Sequence, residues 1–146
     1  VAEDRVELRS AEPADVAGIL RGVDAGIFFY RPAFCALATA PTKLGEFLGC
    51  GVPCLSNAGV GDVSGILEAD RVGVIQQGFD PAHRRDALVQ LLELAAQPDI
   101  GSRCVAARKR ARRSSVGVTT GRPSDQCFSR KNSNSSIASL NYYSCK

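Results

Sequence analysis

A lysine and a glutamate lie three residues apart at the start of a predicted short helix in APTKLGEFLGCGVPCLSN, residues 40–57. The first N–H groups of a helix have no intrahelical acceptor, and with the helix dipole they favour an anion. Lys43 would add a positive charge there, so phosphate is a natural ligand. Glu46 lies on the same helix face one turn further on, where its carboxylate can accept hydrogen bonds from two adjacent hydroxyls, as on a ribose.

Phosphate and ribose together describe a nucleotide. The alternative is that Lys43 and Glu46 form a solvated ion pair on a surface helix, which stabilises a helix by a few tenths of a kcal/mol. Spacing alone favours neither interpretation.

The segments around this stretch alternate between strand and helix patterns. AGIFFY and VPCLSN are apolar runs typical of strands buried on both faces, and VGVIQ is a further strand. Asp80 as N-cap and Pro81 at the first position mark the start of the last helix in this part of the chain. The predicted strands cover residues 5–10, 25–30, 52–57 and 72–76, and the predicted helices cover 12–24, 41–50, 62–69 and 81–96.

Strands and helices that alternate with short connections predict an α/β fold, with a mainly parallel sheet and helices on both faces. The right-handed crossover rule leaves few topologies, and all are similar to half of a doubly wound, Rossmann-like fold. Such sheets bind ligands at the carboxyl ends of their strands. We therefore expect Pro41, Thr42 and Lys43 to lie on the ligand-binding edge.

Composition describes an ordinary globular chain of 146 residues, 45% of them hydrophobic and 23% charged. No apolar run approaches 18 residues, and VAEDRVELRS carries charges where a signal peptide needs an apolar stretch, so we expect a cytoplasmic location. The six cysteines form no CxxC pair and the chain has one histidine, so we expect no metal site and no disulfide framework. Cys35, Cys50 and Cys54 lie in apolar surroundings typical of small core residues.

The net charge of +3 hides a division near Cys104. Residues 1–104 carry nine Lys and Arg against 14 Asp and Glu, whereas residues 105–146 carry nine against one. The first part is the predicted Rossmann-like domain. The second is a basic, Ser-rich tail that we expect to be helical at its start and then poorly ordered.

The tail contains RKRARR, residues 108–113, with five positive charges in six positions. Such a run attracts nucleic acid or anionic lipid without sequence preference. It has no interleaved aromatic residues and no recognisable module around it, so we expect no specific nucleic-acid binding and at most a peripheral contact with a membrane.

PTKLGEFLGCGVPCLSNAGVGDVSGILEADRVGVI resembles the nucleotide-sugar-binding segment of retaining glycosyltransferases with the GT-B fold, of family 4 (glycosyl transferases group 1). In that family a loop, a helix with the pattern P-x-K-x-x-E-x-x-A-x-G-x-P, a strand ending in Ser and a Gly-rich turn follow one another. The likeness extends from about residue 5 to residue 104. It implies that residues 1–104 are a nucleotide-sugar-binding, Rossmann-like domain that is incomplete at its N-terminus. It implies a partial GT-B C-terminal domain and a hexosyltransferase-like activity with a UDP or GDP sugar as donor substrate, without a cofactor.

The resemblance also implies roles for particular residues. Glu46 corresponds to the family glutamate on the ribose hydroxyls, and the backbone around Pro41, Thr42 and Lys43 corresponds to the segment that contacts the diphosphate. With Leu44, these are the expected nucleotide-sugar-binding residues, and the catalytic residues are unknown.

The chain also departs from the family pattern. Many members carry a second acidic residue eight positions before the ribose glutamate, and here that position is Ala38. The family's acceptor domain and the first βα unit of its donor domain precede the segment that corresponds to Val1. We therefore expect a donor-domain fragment that is inactive alone, with an unknown acceptor and a missing N-terminal acceptor domain.

Two other functions stay open. GVGDVSG places Gly59, Gly61 and Gly65 between a strand and a helix, as a loose relative of the dinucleotide fingerprint, which would make the chain an NAD-binding fragment of an oxidoreductase. Its third glycine is one residue late, and Gln76 and Gln77 end the next strand where an acid should meet the adenine ribose. The other alternative is a non-catalytic module whose basic tail binds nucleic acid or lipid.

Two polar residues are expected to have structural roles only. Asp62 is predicted to cap the helix that follows it, and His83 to be a surface residue without an obvious partner.

Overall fold

The computed structural model describes residues 10–114 and 137–139. Residues 5–9 of the predicted first strand and most of the predicted tail lie outside these ranges. The described helices are α1 Pro13–Leu20, α2 Thr42–Gly49, α3 Val63–Ala69, α4 Pro81–Ala95 and α5 Ile100–Ser114. The strands are β1 Ala25–Ile27, β2 Cys54–Asn57, β3 Gly73–Gln76 and β4 Ile137–Ser139, and a 3-10 helix covers Phe34–Ala38.

The strands form one parallel sheet in the order β3-β2-β1-β4. The register aligns Gly26 with Cys54, and Cys54 with Gly73. The α/β class and the parallel sheet predicted from the alternating elements are therefore confirmed. The 3-10 helix was not predicted, since its segment reads only as a loop of small residues.

Helices cover both faces of the sheet. Successive residues of β2 point to opposite faces and therefore contact different helices. Cys54 belongs to a core shared with α2, α3 and α5, whereas Leu55 packs with Ala87 and Leu91 of α4. The crossovers from β1 to β2 and from β2 to β3 run in the same direction across the sheet. Their right-handedness places α2 and α3 on the same face.

Helix α2 packs on the sheet through apolar residues at helical spacing. Leu44, Phe47 and Leu48 are buried, and the Phe47 ring lies in a stacked arrangement with Phe28 of the β1 segment, with ring centroids 6.3 Å apart. Gly26 faces the Phe47 ring so closely that a Cβ atom would overlap it. Burial of a phenylalanine side chain contributes about 1.5–3 kcal/mol, so this contact is a major anchor of α2.

The start of α4 has the predicted cap. The Asp80 carboxylate accepts hydrogen bonds from the N–H groups of Ala82 and His83, each at 3.1 Å, and Pro81 lies at the first helical position. Asp80 also contacts the Nδ1 atom of His83, so the prediction that His83 has no partner is wrong. His83 is three residues after the N-cap, a spacing that brings the two side chains together and could have indicated this contact. Asp62 is at the N-cap of α3 but makes no side-chain cap hydrogen bond.

Helix α5 continues through Cys104, where the sequence predicts a boundary. Ile100, Cys104 and Ala107 are buried in the core of the α2 and α3 face, at a helical spacing that continues into the basic run. The Arg108 side chain lies over Gly49, and Arg110 contacts the Asp70 carboxylate. Part of the basic run therefore packs against the folded domain.

The described cysteines are thiols in different surroundings. Cys54 is fully buried, which raises the pKa of its thiol well above the ordinary value, and Cys50 packs at the edge of the core. Cys35 is exposed on the 3-10 helix, so its predicted core position is wrong.

No helix in residues 10–114 is long and apolar enough to cross a membrane.

A pair of glycine substitutions tests the contact between α2 and the sheet. Gly26→Ala should lower the free energy of unfolding by about 1–3 kcal/mol, because the new methyl group meets the Phe47 ring. Gly65→Ala in α3 should raise it by about 0.5–1 kcal/mol, since no atom lies within 4 Å of the new methyl group and alanine favours helix. Urea unfolding followed by circular dichroism measures both. Equal effects from the two changes would contradict the packing described.

Candidate functional site

The carboxyl ends of β1 and β2 are joined by a buried asparagine. Asn57, which is 2% exposed, accepts a hydrogen bond on Oδ1 from the Tyr30 N–H at 2.8 Å and donates from Nδ2 to the Ala58 carbonyl at 2.9 Å. The loop that leaves β1 is therefore fixed to the end of β2. Sequence reasoning missed this role, although a polar residue at the end of a buried strand, just before small turn residues, is a signal for it.

The loop then packs against the Gly-rich turn after β2. The Gly61 N–H donates to the Ala36 carbonyl at 2.9 Å, and a Cβ atom on Gly61 would overlap the Thr39 carbonyl oxygen. The Thr39 hydroxyl in turn donates to the Cys35 carbonyl at 2.9 Å. These contacts hold together the loop that leads into α2 and the turn that leads into α3.

The same geometry gives two of the predicted fingerprint glycines a backbone role. Gly59 and Gly61 have positive φ angles of 79° and 43°, which side chains rarely adopt. Gly65 lies within α3, and a Cβ atom there would meet nothing within 4 Å. A dinucleotide fingerprint needs its last glycine for close packing of helix on strand. Gly65 does not serve that purpose.

The start of α2 lies at this edge of the sheet. Pro41 is the buried N-cap residue and makes no side-chain cap hydrogen bond, and Thr42 is exposed. Leu44 belongs to the core, and its N–H donates to the Pro41 carbonyl at 3.1 Å. Leu44 therefore contributes mainly to packing, while the first residues of the helix face the edge.

Lys43 and Glu46 lie close enough on α2 to interact. Glu46 is exposed and Lys43 is half-buried. Burial lowers the pKa of Lys43 below its ordinary value of 10.5, and the negative charge of Glu46 opposes that shift. The proximity expected from the spacing is present. Partial burial of Lys43 distinguishes it from a lysine on a fully solvated helix face.

Two buried polar atoms lie near the same edge. Ser56 Oγ and Gln76 Nε2, on adjacent strands, have no hydrogen-bond partner, and their residues are 0% and 3% exposed. A buried polar atom without a partner costs about 1–3 kcal/mol. The carboxyl end of the sheet thus holds buried side-chain polar atoms without hydrogen-bond partners, whereas the middle of β2 is apolar.

A pocket in the described part of the chain lies away from this edge. It has a volume of about 360 Å³ and lies where β3 begins and α3 and α4 end, so it is at the opposite edge of the sheet. Its lining includes none of the predicted nucleotide-sugar-binding residues; it consists of Glu68, Arg71, Gly73, Val74, Gln90, Glu93, Leu94 and Gln97. Ala38 is exposed at the end of the 3-10 helix, where the family pattern has an acid. Within residues 10–114, no group of three or more His, Cys, Asp or Glu side chains is placed to hold a metal ion.

Comparison with known proteins identified no relative. No protein-family model matches the chain, and searches of curated proteins and of solved structures returned no match.

The contact between the turn and the loop can be tested by two further glycine substitutions. Gly59→Ala should cost about 1–2 kcal/mol of unfolding free energy, from its left-handed backbone alone. Gly61→Ala should cost about 1–3 kcal/mol more, because its methyl group also meets the backbone oxygen of Thr39. Chemical unfolding measures the difference. If Gly61→Ala were the milder change, the turn would not lie against the loop.

The Asp80 cap predicts a pH dependence of stability. The His83 backbone N–H and then the His83 side chain lower the pKa of Asp80 below its ordinary 3.8, so folding favours the ionised carboxylate. The contribution of the ionised Asp80 carboxylate to folding stability is complete above pH 3.8, and it is lost as the pH falls through the lowered pKa. Asp80→Ala should therefore reduce stability at pH 7, and the difference from wild type should shrink in acid.

Asp86→Ala is the matched control, because it removes an exposed carboxylate from the same helix without removing the cap. Thermal unfolding across this pH range measures both variants. An acid-sensitive difference of the same size in Asp86→Ala would show that the cap is not its source.

Proposed function

We propose that the carboxyl edge at the start of α2 binds a nucleoside-diphosphate sugar. The first turn of α2 and Lys43 would receive the diphosphate, and Glu46 would accept hydrogen bonds from the ribose hydroxyls. The observation that carries this proposal is the placement of a half-buried Lys43 beside an exposed Glu46 at a helix start on the carboxyl edge of a parallel sheet.

The topology supports this choice of edge. The order β3-β2-β1-β4 is the order of the first four strands in the doubly wound, Rossmann-like fold, where ligands bind outside the carboxyl ends of the strands. The loop after β1 and the turn after β2 pack together at this edge. A loop held in one conformation before binding loses less conformational entropy when a ligand arrives.

We further propose that the chain is the donor-binding part of a cytoplasmic glycosyltransferase of the GT-B, family 4 kind. In glycosyl transfer the leaving diphosphate gains negative charge, and fixed dipoles and cations aimed at it stabilise the transition state. The helix start and Lys43 would supply both. A second domain would present the acceptor, because transfer needs donor and acceptor held together away from water.

The ribose contact provides the sharpest test. UDP or GDP should raise the melting temperature of the full chain, because a ligand that binds only the folded state stabilises it. Glu46→Gln should weaken the binding of whichever nucleotide binds more tightly by about tenfold. That factor corresponds to the loss of a charged hydrogen bond of roughly 1.5 kcal/mol. The 2′,3′-dideoxy form of that nucleotide should bind wild type and Glu46→Gln equally, since it lacks the hydroxyls. Isothermal titration calorimetry measures the affinities.

Glu93→Gln is the control, because it neutralises an exposed glutamate at the opposite edge of the sheet. Lys43→Gln should weaken the binding of inorganic pyrophosphate and the binding of the nucleotide by the same factor. If both nucleotides leave the melting temperature unchanged, or if NAD binds more tightly than either, the proposed function is wrong.

A further inference from the structure

Helix α5 ends in a cluster of exposed cations. Lys109, Arg112 and Arg113 lie at i, i+3 and i+4, so they share one side of the helix, and all three are exposed. Cys104 and Ala107 of the same helix are buried in the core, on its other side. We refer to Lys109, Arg112 and Arg113 as the basic patch.

The neighbouring cations Arg108 and Arg110 contact described parts of the fold, and no such contact is seen for the basic patch among residues 10–114. Arg108 lies over Gly49, the last residue of α2, and Arg110 contacts Asp70, the C-cap residue of α3. Cations are favourable near helix C-termini, where the helix dipole is negative. Arg108 and Arg110 are therefore explained by the fold, and the basic patch is not.

These contacts locate the basic patch in the molecule. In a βαβ unit the helix runs antiparallel to its strands, so the C-terminal ends of α2 and α3 lie at the amino edge of the sheet. Helix α5 crosses these ends, with Gly101 beside Gly51 and Arg110 beside Asp70. The basic patch thus lies at the edge opposite to the start of α2.

Charge is strongly separated along the chain. Residues 10–104 carry seven Lys and Arg against eleven Asp and Glu, whereas residues 105–114 carry five basic residues and no acid. A negatively charged surface would attract the end of α5 and repel the rest of the described domain. Such a field gives the molecule one preferred orientation on a broad anionic surface.

We propose that the basic patch docks the chain on an anionic lipid bilayer, with the amino edge of the sheet toward the headgroups. Clusters of Lys and Arg on a helix bind anionic lipids, because mobile headgroups gather beneath them. The basic patch spans only about 6 Å of helix, at 1.5 Å per residue, and so reaches few phosphates of a nucleic-acid duplex. It also contains no aromatic residue on which a single-stranded base could stack. The opposite edge remains open to soluble ligands.

Vesicle sedimentation with the full chain tests this proposal. We expect binding to phosphatidylcholine vesicles that contain phosphatidylserine, no binding to phosphatidylcholine alone, and steep weakening as salt is raised. The double substitution Arg112→Gln/Arg113→Gln should reduce the partition coefficient roughly thirtyfold, from about fivefold for each cation removed near the surface.

Arg84→Gln/Arg85→Gln is a matched control, since it removes the same charge from an adjacent, exposed arginine pair on α4. We expect it to leave the partition coefficient nearly unchanged, and both variants to melt as wild type does. An equal loss in the two variants would show that only net charge matters and would overturn the proposal. Absence of binding to the anionic vesicles would overturn it too. So would release of the protein from those vesicles by duplex DNA, if the double substitution Arg112→Gln/Arg113→Gln abolished the DNA binding.

Discussion

The arrangement of this protein depends on how closely α2 lies on the sheet. Gly26 presents no side chain to the Phe47 ring, so the helix can settle directly onto β1 and β2, with Leu44 and Leu48 buried beside Phe47. Core packing of this kind is intolerant of even one extra methyl group. The start of α2 is a rigid extension of that packing, which is why its first residues are held at the edge of the sheet.

The edge itself is held together by hydrogen bonds in which at least one partner is a backbone group. Asn57 joins the ends of two strands through the Tyr30 N–H, and Gly61 permits the turn after β2 to reach the Ala36 carbonyl. Lys43 and Glu46 then stand on a scaffold whose parts come from three separate segments. This division is common in α/β proteins, where the sheet supplies rigidity and the loops supply chemistry.

Much of this architecture could be predicted from residue patterns. The apolar runs that form β1 and β2, and the Asp80 and Pro81 start of α4, are local signals that the structure confirms. The spacing of Lys43 and Glu46 also sufficed to place them together. The nucleotide they are proposed to bind stays a prediction, because helical spacing describes a surface ion pair equally well.

What could not be predicted depends on contacts between distant residues. Nothing near Arg110 in the chain indicates that it contacts Asp70. Composition places a boundary near Cys104, and α5 runs across that point from Ile100 to Ser114. The 3-10 helix is stabilised by neighbours such as Gly61 rather than by its own sequence pattern. The exposure of Cys35 follows from that helix and was missed with it.

The position of α5 has a consequence for how the chain is made. Its buried residues Ile100, Cys104 and Ala107 complete a core whose other buried members lie between Leu20 and Val72. During synthesis those earlier segments emerge first, and their apolar face is open to water until α5 follows. A nascent chain halted before this helix would expose the very surface on which chaperones and other unfolded chains adhere.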